Sequence, residues 1–176
     1  ALAATWALVA PGPGSRAFGV ALLALVAWLA PRDVARRTVR STDLPRFSAV
    51  AMLAGYGWLT VAGVAWAVTG VPSTRAAHDL LVHTVFLGFA MSMVLAHAPV
   101  ILPSVLRRPL PYRRVLWAPL VVLHAGLAVR VCGDLVGQTR LAQAGGVLTT
   151  VALLLLPLTA AASVALPVRH PRSVPA

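Results

Sequence analysis

The sequence is short of cysteine, lysine and acidic residues, and each shortage narrows the range of possible functions. A single cysteine, Cys132, rules out an internal disulfide and any multi-cysteine metal cluster. All 15 basic residues are arginine, and only four residues are acidic. Two of these, Asp79 and Asp134, fall near long apolar segments, which is too few for the carboxylate relay of a proton pump. The sequence also has no phosphate-binding glycine loop, no Ser/His/Asp set and no zinc-type Cys/His cluster.

Long hydrophobic runs are what the sequence has in abundance. Hydrophobic residues make up 59% of the chain and charged residues 11%, against about 25% charged in a typical soluble domain. Runs of about 18 or more apolar residues indicate membrane-spanning helices. We therefore expect an all-α integral membrane helix bundle that forms one domain over residues 1–176. The predicted spans are 16–30, 47–69, 79–103, 115–137 and 141–168, and a break at Pro11-Gly12-Pro13-Gly14 separates them from a partial helix over residues 1–10.

The arginines are distributed unevenly among the predicted loops. Eleven lie in the loops 31–46 and 104–114 and in the tail after residue 168, whereas the opposite loops hold three, Arg16, Arg75 and Arg140. Arginine-rich loops stay on the cytoplasmic side of a membrane. We therefore expect a multi-pass protein of the cytoplasmic (inner) membrane with these loops and the C-terminus in the cytoplasm. The same bias accounts for the net charge of +11, so the expected partner is the lipid bilayer and not nucleic acid.

Three histidines lie inside the predicted spans, where a ring nitrogen usually serves a ligand or a proton. His83 and His97 belong to the span 79–103, and His124 lies in the middle of the span 115–137. On a regular α-helix, His83 and His97 fall within roughly 40° of each other and about 21 Å apart along the axis. Two imidazoles on one stripe of a membrane helix indicate a support for haem or a metal.

The short connection between these two spans predicts that they pack antiparallel. Folding one onto the other places Val94 at the depth of His124, with His97 about 4–5 Å further towards the cytoplasm. We therefore expect His97 and His124 to be the axial ligands of a haem, or alternatively metal ligands. His83 is the next candidate, for a second haem or a metal.

Two charged residues near the outer end of the span 115–137 are candidates for positioning these ligands. Folding the spans together places His83 level with Asp134, whose carboxylate would accept the ring proton and fix the tautomer of the imidazole. Arg130 and Asp134 are four residues apart on one helix and are expected to pair with each other.

Each of these features also has a simpler interpretation. A membrane histidine can donate a hydrogen bond between helices without binding any cofactor. Methionine is more often a packing residue than a ligand, so Met91 and Met93 are assigned to packing and Cys132 to a structural role. His78 and His170 lie at or beyond helix ends and are expected to be solvated. Several glycines are expected to allow close helix approach, namely Gly55, Gly57, Gly63, Gly145 and Gly146.

Residues 78–137 carry a family resemblance. The stretch runs His78-Asp79-Leu80-Leu81-Val82-His83, then Gly88-Phe89-Ala90-Met91-Ser92-Met93, then His97-Ala98-Pro99, and continues with Leu123-His124-Ala125-Gly126 and Gly133-Asp134. It resembles membrane proteins of the NnrS group and relatives that are distantly similar to subunit I of haem–copper oxidases. The resemblance implies haem b, or less directly copper, at His83, His97 and His124, and a role linked to nitric oxide and respiration.

These observations lead to one expected function and two alternatives. The chain has fewer spans and histidines than the oxidases and lacks their adjacent histidine pair, so it is not expected to reduce oxygen or nitric oxide by itself. We expect a b-type haem protein that serves electron transfer or the handling of nitric oxide or metal, associated with other membrane subunits of a respiratory or redox complex. The alternatives are a cofactor-free accessory subunit of such a complex and a small transporter.

Overall fold

The computed structural model describes Thr5, Trp6, residues 10–107 and residues 111–165, and this part of the chain is helical with no strand. Its helices, in chain order, are α1 (Pro11–Arg32), α2 (Ala35–Thr38), α3 (Asp43–Thr69), α4 (Arg75–His83), α5 (Met91–Leu106), α6 (Trp117–Leu135) and α7 (Thr139–Ala165). A π-helical segment, Thr84–Ala90, joins α4 to α5 without interruption, and one turn of 3₁₀ helix, Arg114–Leu116, leads into α6.

Within the described residues, five helical stretches are long and apolar enough to cross a membrane, and this confirms the predicted number of spans. They are Pro11–Arg32, Asp43–Thr69, Arg75–Val105, Arg114–Leu135 and Thr139–Ser163. The stretch Arg114–Leu135 begins one residue before its predicted start, and each of the other four begins two to five residues before. Most of the predicted partial helix over residues 1–10, and the end of the predicted span 141–168, lie outside the described residues.

The predicted chain break at Pro11–Gly14 is wrong, because these residues form the first turn of α1. Proline is compatible with a first turn, since the N–H group that it lacks would have no partner within the helix there. Pro31 lies inside the last turn, and α1 ends one residue later, at Arg32.

The long helices run alternately up and down, so their connections fall at two ends of the bundle. Contacts between Gly19 and Gly63, Ser48 and Ala96, and Gly133 and Ala142 show that successive long helices are antiparallel. Residues 70–74 and 136–138 lie at one end, which we call the arginine-poor end. Residues 33–42, 107 and 111–113 lie at the other, which we call the arginine-rich end.

Glycines permit the close contact between α6 and α7, the two helices that contact each other most extensively. A Cβ atom added at Gly126 would lie 2.7 Å from Leu148, and one added at Gly145 would meet the backbone nitrogen of Arg130. Only hydrogen fits at these positions, so the two backbones come within contact of each other. This confirms the expectation of close helix approach for Gly145. Gly146 instead makes room for the Arg130 side chain, and the expectation is wrong for Gly57, since no atom lies within 4 Å of a Cβ added there.

The core lies where α3, α5, α6 and α7 meet. Fully buried side chains fill it: Phe47, Ala51, Leu95, Ala96, Leu116, Leu120, Leu123 and Ala152. Met91 packs against this cluster, and Met93 packs against a second one around Tyr56, as expected for packing methionines. On the far side of α3, the Tyr56 hydroxyl donates a hydrogen bond to Asp33 across 2.5 Å and so ties the connection after α1 to the bundle.

The π-helical segment overturns the prediction that His83 and His97 share one stripe. A π turn, with its i→i+5 bonds, contains about one residue more than an α turn, and each extra residue rotates the following side chains by about 100°. The segment Thr84–Ala90 spans more than one such turn and lies between the two histidines. His97 is accordingly exposed, whereas the side chain of His83 is partly buried at 26% exposure.

Candidate functional site

Asp79 and Arg130 form an ion pair between α4 and α6 near the arginine-poor end. Arg130 donates from Nε to one carboxylate oxygen at 2.7 Å and from Nη2 to the other at 2.8 Å. Two parallel hydrogen bonds align the planes of the guanidinium group and the carboxylate, and together they are stronger than a single hydrogen bond. The guanidinium reaches Asp79 by crossing Gly146 of α7, where an added Cβ would lie 2.6 Å from Nη1. One ion pair therefore connects three helices.

His83 belongs to the same cluster through Asp79. Its Nδ1 lies 2.8 Å from the carbonyl oxygen of Asp79 and 3.4 Å from a carboxylate oxygen of the same residue. Because both neighbours only accept, Nδ1 carries the proton and Nε2 keeps its lone pair. The expected proton acceptor for His83 was Asp134, and the structure places Asp79 in that position instead.

Asp134 lies beside this ion pair but does not form the ion pair with Arg130. Its carboxyl is close enough to Asp79 and Arg130 to interact with both, yet its buried Oδ2 has no hydrogen-bond partner among the described residues. Asp134 also lines an apolar cleft of about 580 Å³ between α3, α4 and α6, together with Val64, Leu80 and other aliphatic residues. The predicted ion pair between Arg130 and Asp134 within α6 is therefore wrong, because Arg130 pairs with Asp79 of α4.

A second polar group lies in the middle of the bundle, where α3, the π-helical segment and α6 meet. The indole Nε1 of Trp58 donates a hydrogen bond to Nδ1 of His124 across 2.8 Å. Nε2 of His124 lies 3.5 Å from the hydroxyl of Ser92, which donates in turn to the carbonyl of Gly88 in the π-helical segment. An indole can only donate, so His124 is the neutral tautomer with its proton on Nε2. The four residues form one chain of hydrogen bonds.

This arrangement does not fit the predicted axial pair of His97 and His124. A haem iron needs the lone pair of a ring nitrogen, and Nδ1 of His124 already uses its lone pair to accept from Trp58. Nε2 of His124 carries the proton and faces Ser92. In this arrangement His124 joins helices, which is the simpler interpretation of a membrane histidine.

His97 lies on the outer surface of α5 in a different setting. Its Nδ1 is 2.7 Å from the carbonyl oxygen of Met93, one turn earlier. A carbonyl only accepts, so Nδ1 carries the proton and the lone pair of Nε2 is left for an external ligand. Metal-binding histidines are typically held in this way, by a backbone carbonyl on the second ring nitrogen. His83 and His97 share this arrangement, and His124 does not.

Two residues of the site were not expected from the sequence in their observed roles. An indole within an apolar span has no distinguishing pattern, so the sequence does not mark Trp58. The role of Asp79 has a local signal in the sequence, which is its spacing of four residues from His83. Cys132 and His78 are exposed, and His170 lies outside the described residues.

Comparison with known proteins places the chain in a family without assigning a chemistry. Residues 1–165 match a family model described as Domain of unknown function (DUF8744), which takes in all five long helices. No curated protein and no solved structure matches the chain. Within the described residues, no group of three or more His, Cys, Asp or Glu side chains is arranged to hold a metal ion.

Proposed function

We propose that the chain, which belongs to the DUF8744 family, is a multi-pass integral protein of the cytoplasmic membrane that binds a b-type haem through His97. The haem would lie at the outer surface of α5, where a second membrane subunit can enclose it. The role that follows is electron transfer, or the handling of nitric oxide or metal, linked to respiration.

The surface of the long helices supports the membrane assignment. Large aliphatic side chains are exposed along all five, including Val20 (58%), Val68 (69%), Val100 (61%), Val121 (58%) and Leu154 (61%). Soluble monomers rarely expose contiguous apolar surface of this kind, whereas lipid tails solvate it. The arginine distribution supports the proposed orientation, with the arginine-rich end in the cytoplasm.

The exposed imidazole of His97 is the observation that carries the haem proposal. Its neighbours on the same surface are aliphatic, with Val94 at 46%, Val100 at 61% and Ile101 at 52% exposure. A ring nitrogen without a partner is costly in hydrocarbon, so Nε2 requires a ligand from outside the chain. With its tautomer fixed by Met93, His97 presents the nitrogen that haem iron takes as an axial ligand.

The residues of this chain can supply one axial ligand at that surface. The Nε2 atom of His97 would bind the iron. Val94 and Ile101, which flank His97 on α5, would provide apolar contact with the porphyrin. When bound, haem supplies an iron centre for one-electron transfer or for binding a diatomic gas. Any further ligand would come from a partner subunit or a gas, since this chain offers one ring nitrogen at that surface. His83, which has the same carbonyl-fixed tautomer, is the candidate for a second site.

The test is a pyridine haemochrome spectrum of protein purified from membranes after haem-replete expression. We expect a b-type spectrum that His97→Ala abolishes, because no other ring nitrogen is available on that surface of α5. His78→Ala is the matched control, since it removes an exposed histidine and should leave the spectrum unchanged. Wild-type protein without a Soret band, or a Soret band that survives His97→Ala, would show that the haem assignment is wrong.

A second candidate is a cofactor-free accessory subunit of a larger respiratory membrane complex. The hydrogen bonds of His124 to Trp58 and Ser92 favour it, because they give one of the three membrane histidines a role in helix packing. In that case Nε2 of His97 accepts a hydrogen bond from the partner subunit. Haem-free protein that co-purifies with another membrane protein, and loses it on His97→Ala, supports this second candidate over the first.

A further inference from the structure

A cavity of about 650 Å³, lined by charged, hydroxyl-bearing and aromatic side chains, opens at the arginine-rich end, where α3 and α6 begin. Its lining residues are Thr42, Asp43, Arg46, Tyr112, Arg114 and Trp117. The two arginines and Asp43 are exposed, and the aromatic side chains are partly buried. None of these residues takes part in the clusters around His124 and Asp79.

The cavity carries more positive than negative charge, with two arginines and one aspartate in its lining. Arg46 lies in the first turn of α3, and Arg114 begins the 3₁₀ turn that leads into α6. The beginning of a helix carries partial positive charge, so the start of α3 beside Arg46 also favours an anion. Within the described residues neither guanidinium forms an ion pair or hydrogen bond, and Asp43 offsets only one of the two charges.

Hydroxyl donors complete the lining. The Tyr112 oxygen accepts from Nε1 of Trp117 at 2.8 Å, which leaves its own proton free to donate into the cavity. Thr42 precedes α3 without a side-chain capping bond, so its hydroxyl is also uncommitted. Two guanidinium groups and two hydroxyl groups around one space match the oxygen atoms of a phosphate.

We propose that this cavity binds the phosphate of an anionic phospholipid. The inference rests on the membrane part of the proposed function and is independent of the haem. Trp117 edge-stacks on buried Phe47, so the indole is held at the level where aromatic residues meet lipid headgroups. Next to the cavity, Val115 is 44% exposed, and further along α6 Val121 is 58% exposed. These side chains give the acyl chains an apolar path that a free phosphate ion would not use.

The test is native mass spectrometry of the full chain in mild detergent, titrated with phosphatidylglycerol or with phosphatidylcholine. Each of Arg46→Gln and Arg114→Gln is expected to weaken phosphatidylglycerol binding by about tenfold, since a hydrogen bond from a guanidinium group to the phosphate contributes at least about that factor. The double variant should approach the affinity for phosphatidylcholine. Arg36→Gln, at the same end but outside the cavity, is the matched control and should change the affinity less than about twofold, because a guanidinium group that does not touch the phosphate is screened by water and salt.

Three results would overturn the proposal. Wild-type affinity in the double variant would show that the cavity does not bind the headgroup. An equal loss in Arg36→Gln would show a diffuse basic surface in place of a site. Displacement of the lipid by equimolar inorganic phosphate would show a site for the free ion. Absence of the chain from the membrane fraction would contradict the membrane location on which this proposal rests. The haem assignment is tested separately, by the presence or absence of a Soret band.

Discussion

Trp58 on α3 and His124 on α6 are joined by a hydrogen bond of 2.8 Å from the indole Nε1 to Nδ1 of the imidazole. The bond fixes the tautomer of His124 and orients its other nitrogen towards Ser92. Gly88 makes the approach possible, because a Cβ at that position would lie 2.5 Å from the side chain of Trp58. The π-helical segment that contains Gly88 is therefore packed directly against the indole.

Replacement of Trp58 by phenylalanine tests this contact. Trp58→Phe keeps an aromatic ring but removes the donor, so Nδ1 of His124 loses its partner inside the bundle. An unsatisfied buried acceptor costs about 1–3 kcal/mol, and the free energy of unfolding in detergent should fall by that amount. Trp28→Phe, at a tryptophan that is 57% exposed, should cost clearly less. Equal losses in the two variants would show that the hydrogen bond contributes nothing.

The ion pair between Asp79 and Arg130 gives a second prediction. Asp79→Asn keeps the size of the side chain but removes the charge that Arg130 needs, and a hydrogen bond to a charged group contributes about 1.5–3 kcal/mol. We expect the midpoint of thermal unfolding to fall markedly. Asp134→Asn is the comparison, since Asp134 interacts with both members of the pair but accepts neither of the two guanidinium hydrogen bonds, and it should lower the midpoint less. The opposite ranking of these two variants would show that Asp134 is the true partner of Arg130.

The sequence predicted the number of long helices, because length and apolarity decide it. It also predicted that the spans of His97 and His124 pack antiparallel, because the connection between them is short. It also predicted the depth of His124 to within two residues, since Ser92 lies opposite the imidazole where Val94 was expected. It could not predict which way each histidine faces. The long helices are apolar on nearly every side, so the pattern that separates an inward face from an outward one is almost absent.

The remaining errors share a physical cause, which is that long-range packing overrides local spacing. The π-helical segment has an ordinary apolar composition, so nothing in the sequence marks the extra rotation between His83 and His97. Arg130 and Asp134 have the spacing of a local pair, yet the guanidinium crosses Gly146 to a partner on another helix. Both outcomes depend on neighbouring helices that a single span does not reveal.

The contact between α6 and α7 gives a third prediction. A methyl group at Gly145 would meet the backbone nitrogen of Arg130 and the carbonyl of Gly126, neither of which can turn away. Gly145→Ala should therefore destabilise the chain by about 1–3 kcal/mol, as overpacking does. Gly57→Ala is the control, because no atom lies within 4 Å of its added Cβ and alanine favours a helix. Calorimetry that ranks Gly57→Ala as the more harmful change would contradict the observed helix contact.

The orientation of the bundle gives the last prediction. In a Cys132→Ser background, a cysteine at Ser73 should react with a membrane-impermeant thiol reagent in intact cells, because residues 70–74 lie at the arginine-poor end. A cysteine at Ser41, in the arginine-rich connection between α1 and α3, should react only after the cells are permeabilised, since moving arginines across the membrane is unfavourable. Permeabilised cells serve as the control, in which both sites should label. Labelling of Ser41→Cys but not Ser73→Cys in intact cells would reverse the orientation and place the phospholipid cavity on the outer face.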